Sequence, residues 1–398
     1  MIDTINLLRQ NGAKKKSIQR YIVEHSSLSP TLKDIANLIV KLKKREKGSK
    51  APVELLHERM RELCEKEPGN VGRVFTDVVD SKAVATCITL PTKHMHEMLV
   101  KFPEVLLIDA THGTKASRYK VFSFMAHDVF GKGQYVQHAI LQSERSETIQ
   151  NAIETSKTNN PYWKRVQCVI IDKDFKQMKV LRVSMPQACI LLCQFHVIKW
   201  LWEEIAGDRY RFTLWKKDRL RSVVKLMVYA RTQREYEALP EYMRHMLKLA
   251  PDRDCNATNW TDKDDNTFCT ATNQGMGADY SFFEHYFVKN WESCRKQCCS
   301  YTRQNSITLG NNTNNRLEAS SKHLKETVDA FMTVDDCIAC IMYYQSMLDK
   351  EYYARLYNLS VARNASYDAE MERVLNLVSG NVFNLIYEEY IFAITSAN

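Results

Sequence analysis

The chain is 398 residues long, 44% hydrophobic and 26% charged, which allows two or three domains with a sizeable core and excludes a disordered polyelectrolyte. No apolar run approaches the roughly 18 residues that span a bilayer, and the opening residues lack the basic start and apolar stretch of a secretory signal. The expectation is a soluble, intracellular protein with no membrane partner. The net charge of +9 is uneven: residues 1–100 hold 18 Lys/Arg against 12 Asp/Glu, while the other 298 hold 38 against 35. That asymmetry is a modest pointer to a polyanionic partner. The 12 cysteines are scattered, several in apolar stretches, and read as small buried hydrophobes in a reducing compartment.

Residues 4–48 predict three short helices. Gly12 separates the first from the second, and Thr31-x-x-Asp34 after Pro30 is a capping box that starts the third. In that third helix Ile35, Leu38, Ile39 and Leu42 follow the spacing of a buried stripe. Lys41, Lys43, Lys44, Arg45 and Lys47 crowd its C-terminal end. Two readings stay open for them: a helix-turn-helix-like unit that touches DNA phosphates, or a solvated helix end favoured by the macrodipole. A linker at 48–52 leads to a helix over 53–66, strand-like runs within 71–90 closed by Pro91, and a helix over 92–101.

Residues 104–130 carry the central pattern. Val105 to Ile108 make an apolar strand that runs straight into Asp109; a polar turn follows, and Val121, Phe122, Phe124 and Met125 begin a second strand of the same hairpin. Asp109 placed after four apolar residues either caps the strand end or holds a cation, because an unpaired buried carboxylate costs roughly several kcal/mol. A Gly131-Lys-Gly turn leads to a strand over 135–141 and a helix over 147–157. A strand over 166–171 then ends in Asp172, followed by a helix over 175–183, a strand over 188–193 and a long helix opened by His196. Three antiparallel strands followed by β-α-β-α-β give a mixed sheet, the order used by the RNase H-like fold. From 209 to about 301 strand signals vanish and aromatic residues recur at helical spacing, which predicts a helical insertion. Leu317, Leu324, Val328 and Phe331 then mark one more amphipathic helix with Glu318 at its edge, and two further helices, about 334–358 and 368–394, finish the chain.

The fold class is therefore α/β, an RNase H-like mixed sheet interrupted by an all-α insertion, with helical regions at both ends. The boundaries read as 1–48 helical; 53–101 a pre-catalytic segment; 102–208 the first part of the core; 209–305 the insertion; 306–332 the last core helix; and 333–398 C-terminal helices. Asp109 and Asp172 end strands that would be neighbours, and a helix bearing Glu318 can lie across them. Three converging carboxylates repel one another unless divalent cations neutralise them. Two Mg²⁺ ions roughly 3.5–4 Å apart are the arrangement that serves phosphodiester transfer.

Several strings resemble a known family: Asp109 opening DATHGT, Ile171-Asp172, Cys193-Gln-Phe-His196, Tyr286-Phe-Val-Lys-Asn-Trp291, and Asn314-Asn-Arg-Leu-Glu318 with Leu324-Lys325. In this order they are similar to the motifs of Mutator-like element (MULE) transposases, and most nearly to the animal SWIM-zinc-finger proteins that carry an RNase H-like domain. The likeness covers roughly residues 30–398. It implies that Asp109, Asp172 and Glu318 are a DDE catalytic triad binding Mg²⁺ or Mn²⁺, and that Cys193 and His196 are the family's CxxH element. DNA is the implied partner in the nucleus, with a homo-oligomer left open. Lys115 stands where the family commonly has Asn, and Asp174 is a second candidate for the middle acid, less favoured because Asp172 directly ends the strand. The family's SWIM finger would follow the last helix, and the chain ends at Asn398 before it.

Other groups have plainer readings. Cys193-x-x-His196 is half a zinc site by spacing. With no matching pair in sequence it reads as a buried thiol and a helix-start histidine near the site, and zinc lacks a full site. Cys294/Cys298 and Cys337/Cys340 sit at helical spacing and read as core packing. His112 either contacts phosphate or is a plain turn histidine. Two function classes follow: a DNA transposase or nuclease, or a domesticated, non-catalytic factor that binds DNA or protein.

Overall fold

The computed structural model describes residues 1–10, 13–48, 50–111, 119–249, 283–292, 294–328, 332–361 and 367–396. Helices α1 (Ile2–Gln10), α2 (Lys15–His25) and α3 (Leu32–Lys47) form an N-terminal group. Its own core is Ile5, Ile18, Ile22, Ile35 and Leu42, with Leu38 and Ile39 packed against it. The expected capping box is formed: Thr31 Oγ1 accepts from the Asp34 amide, and the Asp34 carboxylate accepts from the Thr31 amide. Helix α4 (Pro52–Lys66) follows, with Pro52 at its first position, where a missing amide costs nothing.

Seven strands build one sheet: β1 (Arg73–Val79), β2 (Lys82–Thr89), β3 (Val105–Thr111), β4 (Lys120–His127), β5 (Gly133–Leu141), β6 (Cys168–Ile171) and β7 (Cys189–Leu192), in the spatial order β1-β2-β5-β4-β3-β6-β7. Pairs from β1 through to β3 are antiparallel, and β3, β6 and β7 are parallel. The mixed sheet expected from the sequence is thus present. What local pattern did not carry is that the 71–90 runs extend this same sheet, through β2 pairing with β5. They form a tight hairpin in which Val79 pairs with Lys82 across Asp80 and Ser81, both at positive φ. That is the twist-matching two-residue turn. Strand β3 also runs two residues beyond Asp109, to Thr111.

Helices cover both faces. Strand alternation sends Leu106, Ile108, Phe122, Val169 and Ile171 to one face, where they pack with α6 (Ser146–Asn159), α7 (Phe175–Ser184) and α8 (Gln194–Ala206). Val105, Leu107, Val121, Ile170 and Leu191 face the other way, against a layer described below. Helix α5 (Lys93–Lys101) joins β2 to β3.

Beyond α8 the described residues up to 303 are helical or turns: α9 (Leu214–Tyr229), α10 (Gln233–Lys248), a π-turn over Val288–Glu292, and two single turns, α11 (Arg295–Cys298) and α12 (Ser300–Arg303). Phe283, Phe287, Trp291, Cys294 and Cys298 pack into the first face's core, so the cysteine pair 294/298 is core as expected. Helix α13 (Asn315–Thr327) carries Glu318, and α14 (Val334–Ser360) packs beside it. Leu317, Leu324, Cys337, Ile338 and Ile341 from these two helices close the second face. Phe331, expected on that helix, lies outside the described residues. The final helix expected over 368–394 is two helices, α15 (Ala369–Leu375) and α16 (Gly380–Ser396). The break falls at Ser379, whose hydroxyl accepts from the Val382 amide and starts the second helix anew.

Candidate functional site

The pairing of three adjacent parallel strands ends in register. Ile108 pairs with Ile171, and Ile171 with Leu192; the next residues are Asp109, Asp172 and Cys193. The sheet therefore lines these three up along one rim. Alternation settles their direction. Leu107, Ile170 and Leu191 face α13 and α14, and so, two residues on, do Asp109, Asp172 and Cys193, the last of which belongs to that core. This rim, the C-terminal ends of parallel strands, is where open α/β sheets commonly bind ligands.

Two helices complete the arrangement. Cys193 is the residue before α8, so His196 lies in its first turn and its ring reaches back over the rim. His196 Nδ1 lies 2.8 Å from Asp172 Oδ1, and its Nε2 lies 3.4 Å from Glu318 Oε1. Glu318 arrives from α13, where Leu317 and Leu324 bury one stripe on the sheet. Glu318, Lys322 and Lys325 form the neighbouring stripe along a cleft of about 430 Å³, which Asp109 and Asn315 also line. Each of Asp172, Cys193, His196 and Glu318 offers one ligand atom, and these atoms all lie within 4.8 Å of one another. Asp109 faces this group from β3 and is its electrostatic neighbour.

Asn314, buried at 0% exposure, ties the pieces together. Its amide nitrogen Nδ2 donates to Asp172 Oδ1 at 2.9 Å, and its backbone N–H donates to Cys193 Sγ at 3.3 Å. It stands immediately before α13, yet its side chain does not cap that helix, because it is committed to Asp172. Gln194 locks the other side: its amide donates to the Cys298 carbonyl and the Ser300 hydroxyl, and its backbone N–H to the Asn312 carbonyl. The inserted helices and the returning chain are thereby pinned to the start of α8.

The electrostatics follow from crowding. Burial, together with the carboxylates of Asp172 and Glu318, raises Asp109 to about 7, against the opposing pull of His196 and Lys325. Burial pushes the His196 imidazole down, but hydrogen bonding and charge from Asp172 and Cys193 reverse this and lift it to about 10. A like-charge pair 4 Å apart repels by roughly 4 kcal/mol at an effective dielectric of about 20, so acids this close need positive charge between them. His196 supplies one. The buried Glu318 Oε1 and His196 Nδ1 make only these ion-pair contacts, off hydrogen-bond geometry, among the described residues, which leaves them open to a cation. The oxygen-rich set Asp109, Asp172 and Glu318 fits a hard divalent ion such as Mg²⁺.

The sequence-predicted residues divide clearly. Asp172, Cys193, His196 and Glu318 come together in one cluster, and Asp109 lies beside it, lining the same cleft as Glu318. Asp174 does not: its carboxylate accepts from the Lys176 and Gln177 amides and caps α7, so Asp172 is the middle acid of the cluster. The pair Cys193/His196, half a zinc site by spacing, has the carboxylates of Asp172 and Glu318 beside it in space, partners that spacing in the sequence cannot reveal. Lys41 and Arg45 are exposed on α3, and nothing in their contacts assigns them a ligand; the side chains of Lys43, Lys44 and Lys47 lie outside the described part. His112 and Lys115 also lie outside the described residues. Asn314 and Gln194 stand inside motifs visible in the sequence, but their partners are distant in the chain.

Residues 61–191 match the family described as "Zinc finger SWIM domain-containing protein 1/3, RNaseH-like domain". The matched span holds Asp109 and Asp172 and stops before Cys193, His196 and Glu318. The seven-stranded mixed sheet agrees with this match, and the chain carries an RNase H-like domain similar to that of the SWIM-domain proteins.

Proposed function

We propose that the chain is a transposase-derived nucleic-acid enzyme of Mutator-like descent, acting on DNA in the nucleus through a metal-dependent DDE centre made of Asp109, Asp172 and Glu318. The observation that carries the reading is the in-register pairing of β3 with β6, which sets two aspartates side by side where α13 brings the glutamate. Two Mg²⁺ or Mn²⁺ ions bound by these acids would neutralise their charge and activate the attacking and leaving oxygens of a phosphodiester. The chain's own residues supply the rest. Lys322 and Lys325 line the cleft beside Asp109 and suit a phosphate backbone as point charges. Asn314 holds Asp172 in place through its Oδ1.

The test is nicking of supercoiled plasmid with Mg²⁺ or Mn²⁺. Wild type is expected to nick, and Asp109→Asn to lose at least a hundredfold in rate, within the range for removing charge stabilisation from a transition state. Equal rates, or no nicking by wild type with either ion, would overturn it.

One observation favours a second reading, that of a non-catalytic DNA- or protein-binding factor. His196, whose imidazole is lifted to about 10 by hydrogen bonding and charge from Asp172 and Cys193 against the opposing effect of burial, stands between Asp172 and Glu318 and, when protonated, offsets one of their two negative charges. In that version the acids and the imidazolium are a structural ion cluster. Wild-type protein that binds DNA but neither nicks it nor takes up Mn²⁺ would establish this version instead.

A further inference from the structure

The rim contains two overlapping donor sets of different chemistry. One is all oxygen: Asp109, Asp172 and Glu318. The other adds sulfur and nitrogen: Asp172, Cys193, His196 and Glu318, one ligand atom from each within 4.8 Å of the others. We propose that this second set is a site for one zinc-class cation, and that because it shares Asp172 and Glu318 with the oxygen set, the two occupancies exclude one another. The regulatory half of the inference rests on the proposed function; the metal site itself does not.

Three observations carry it. First, four ligands of mixed sulfur, nitrogen and oxygen type are the composition that selects a borderline metal such as Zn²⁺ over Mg²⁺, which prefers oxygen alone. In a tetrahedral site with bonds of about 2.0–2.3 Å, neighbouring ligand atoms stand roughly 3.3–3.8 Å apart. The present spread needs a contraction of about 1.5 Å at most, within reach of side-chain rotation. Second, the outer contacts suit bound ligands. The Asn314 N–H on Cys193 Sγ and its side-chain amide on Asp172 Oδ1 are donors to the groups that would carry negative charge, as outer-shell partners of metal ligands do. Third, the Glu318 Oε1 and His196 Nδ1 atoms are buried, and their contacts, 3.4 Å to His196 Nε2 and 2.8 Å to Asp172 Oδ1, are ion-pair contacts off hydrogen-bond geometry, so both atoms are open to a coordinated ion.

The consequence is a choice between metals. A cation held by the thiol and the imidazole occupies Asp172 and Glu318, leaving Asp109 as the only free acid. Zinc-class ions would then block the magnesium form rather than support it.

Cobalt(II) is the probe, because a thiolate bound to it gives a near-ultraviolet charge-transfer band that reports coordination without any activity. The full chain titrated with Co²⁺ is expected to show that band, saturating at one ion per chain, with Zn²⁺ displacing it and Mg²⁺ failing to. Cys193→Ser should abolish the band; His196→Gln should weaken binding by at least about tenfold; Asp109→Asn should leave the band intact. Circular dichroism separates loss of the ligand from loss of the fold, and His196→Gln, at a half-buried position on the helix surface, keeps the test open if Cys193→Ser does not fold. No band in wild type, an unchanged band in Cys193→Ser, or equal displacement by Mg²⁺ would overturn the site. A band dependent on Cys193 in a protein that never nicks DNA leaves the zinc-class site standing and removes the cleavage reading. Nicking that requires Asp109, in a protein without the band, does the reverse.

Discussion

Asn314 shows how much depends on a single amide. Its two donors reach residues more than a hundred positions away in the chain, Cys193 at one end and Asp172 at the other, and it has no partner for its own buried carbonyl oxygen among the described residues. Removing the side chain leaves Asp172 Oδ1 with only His196 to restrain it. Asn314→Ala is therefore expected to lower affinity for Mn²⁺ by about 10–100-fold, with an unchanged far-ultraviolet circular dichroism spectrum; isothermal titration calorimetry checks it, and unaltered affinity would make the contact incidental. At this scale the acids were readable and the amide was not. Asp109 and Asp172 stand out because each follows an unbroken apolar run, a local pattern. Asn314 looks like any helix-start asparagine, and only the fold reveals that its side chain has left the helix to serve a strand.

Elements were legible where their periodicity is strong. The capping box at Thr31, the apolar strands around Asp109 and Asp172, and the buried stripe of α13 all lie in short windows of sequence. The placement of β1 and β2 in the main sheet was not, because pairing with β5 is long-range and either edge would satisfy their pattern. The break before α16 was missed for a different reason: the apolar spacing continues through Ser379-Gly380, and it is the serine hydroxyl, accepting from the Val382 amide, that starts a new helix there. Helix α3 remains the element whose role is set by charge alone. If it contacts phosphates, Lys43→Ala combined with Lys44→Ala is expected to weaken DNA binding and to flatten the plot of log affinity against log salt by about 0.9 per lost contact. Fluorescence anisotropy across a salt series measures this; an identical slope would return these lysines to a solvated helix end.

Among the described residues the central body is a sheet with a helical layer on each face, and polar groups are sealed between sheet and helices. His138 on β5 is fully buried at 0% exposure, within hydrogen-bonding distance of Ser123 on β4 and near Gln345 on α14. Burial drives its imidazole down to about 3, with a counteracting contribution from Gln345. The sign follows from linkage. The folded pKa lies below the unfolded value of about 6.5, so between those limits the unfolded chain binds the extra proton and stability falls as pH falls. Urea unfolding of wild type is expected to show a slope approaching one proton more per pH unit across about pH 6.5 to 3 than His138→Gln; parallel curves would show that the imidazole is protonated in place.

The order in which the acids appear along the chain has a temporal consequence. Asp172 and the residue that anchors it are 142 positions apart, and Glu318 comes later still. At a synthesis rate of about 5–20 residues per second, the sheet would leave the ribosome on the order of ten seconds before the glutamate that completes its rim. Through that interval a nascent chain owns two aspartates and a thiol but no closed pocket, so the rim is completed only after translation has passed the helices between α8 and α13.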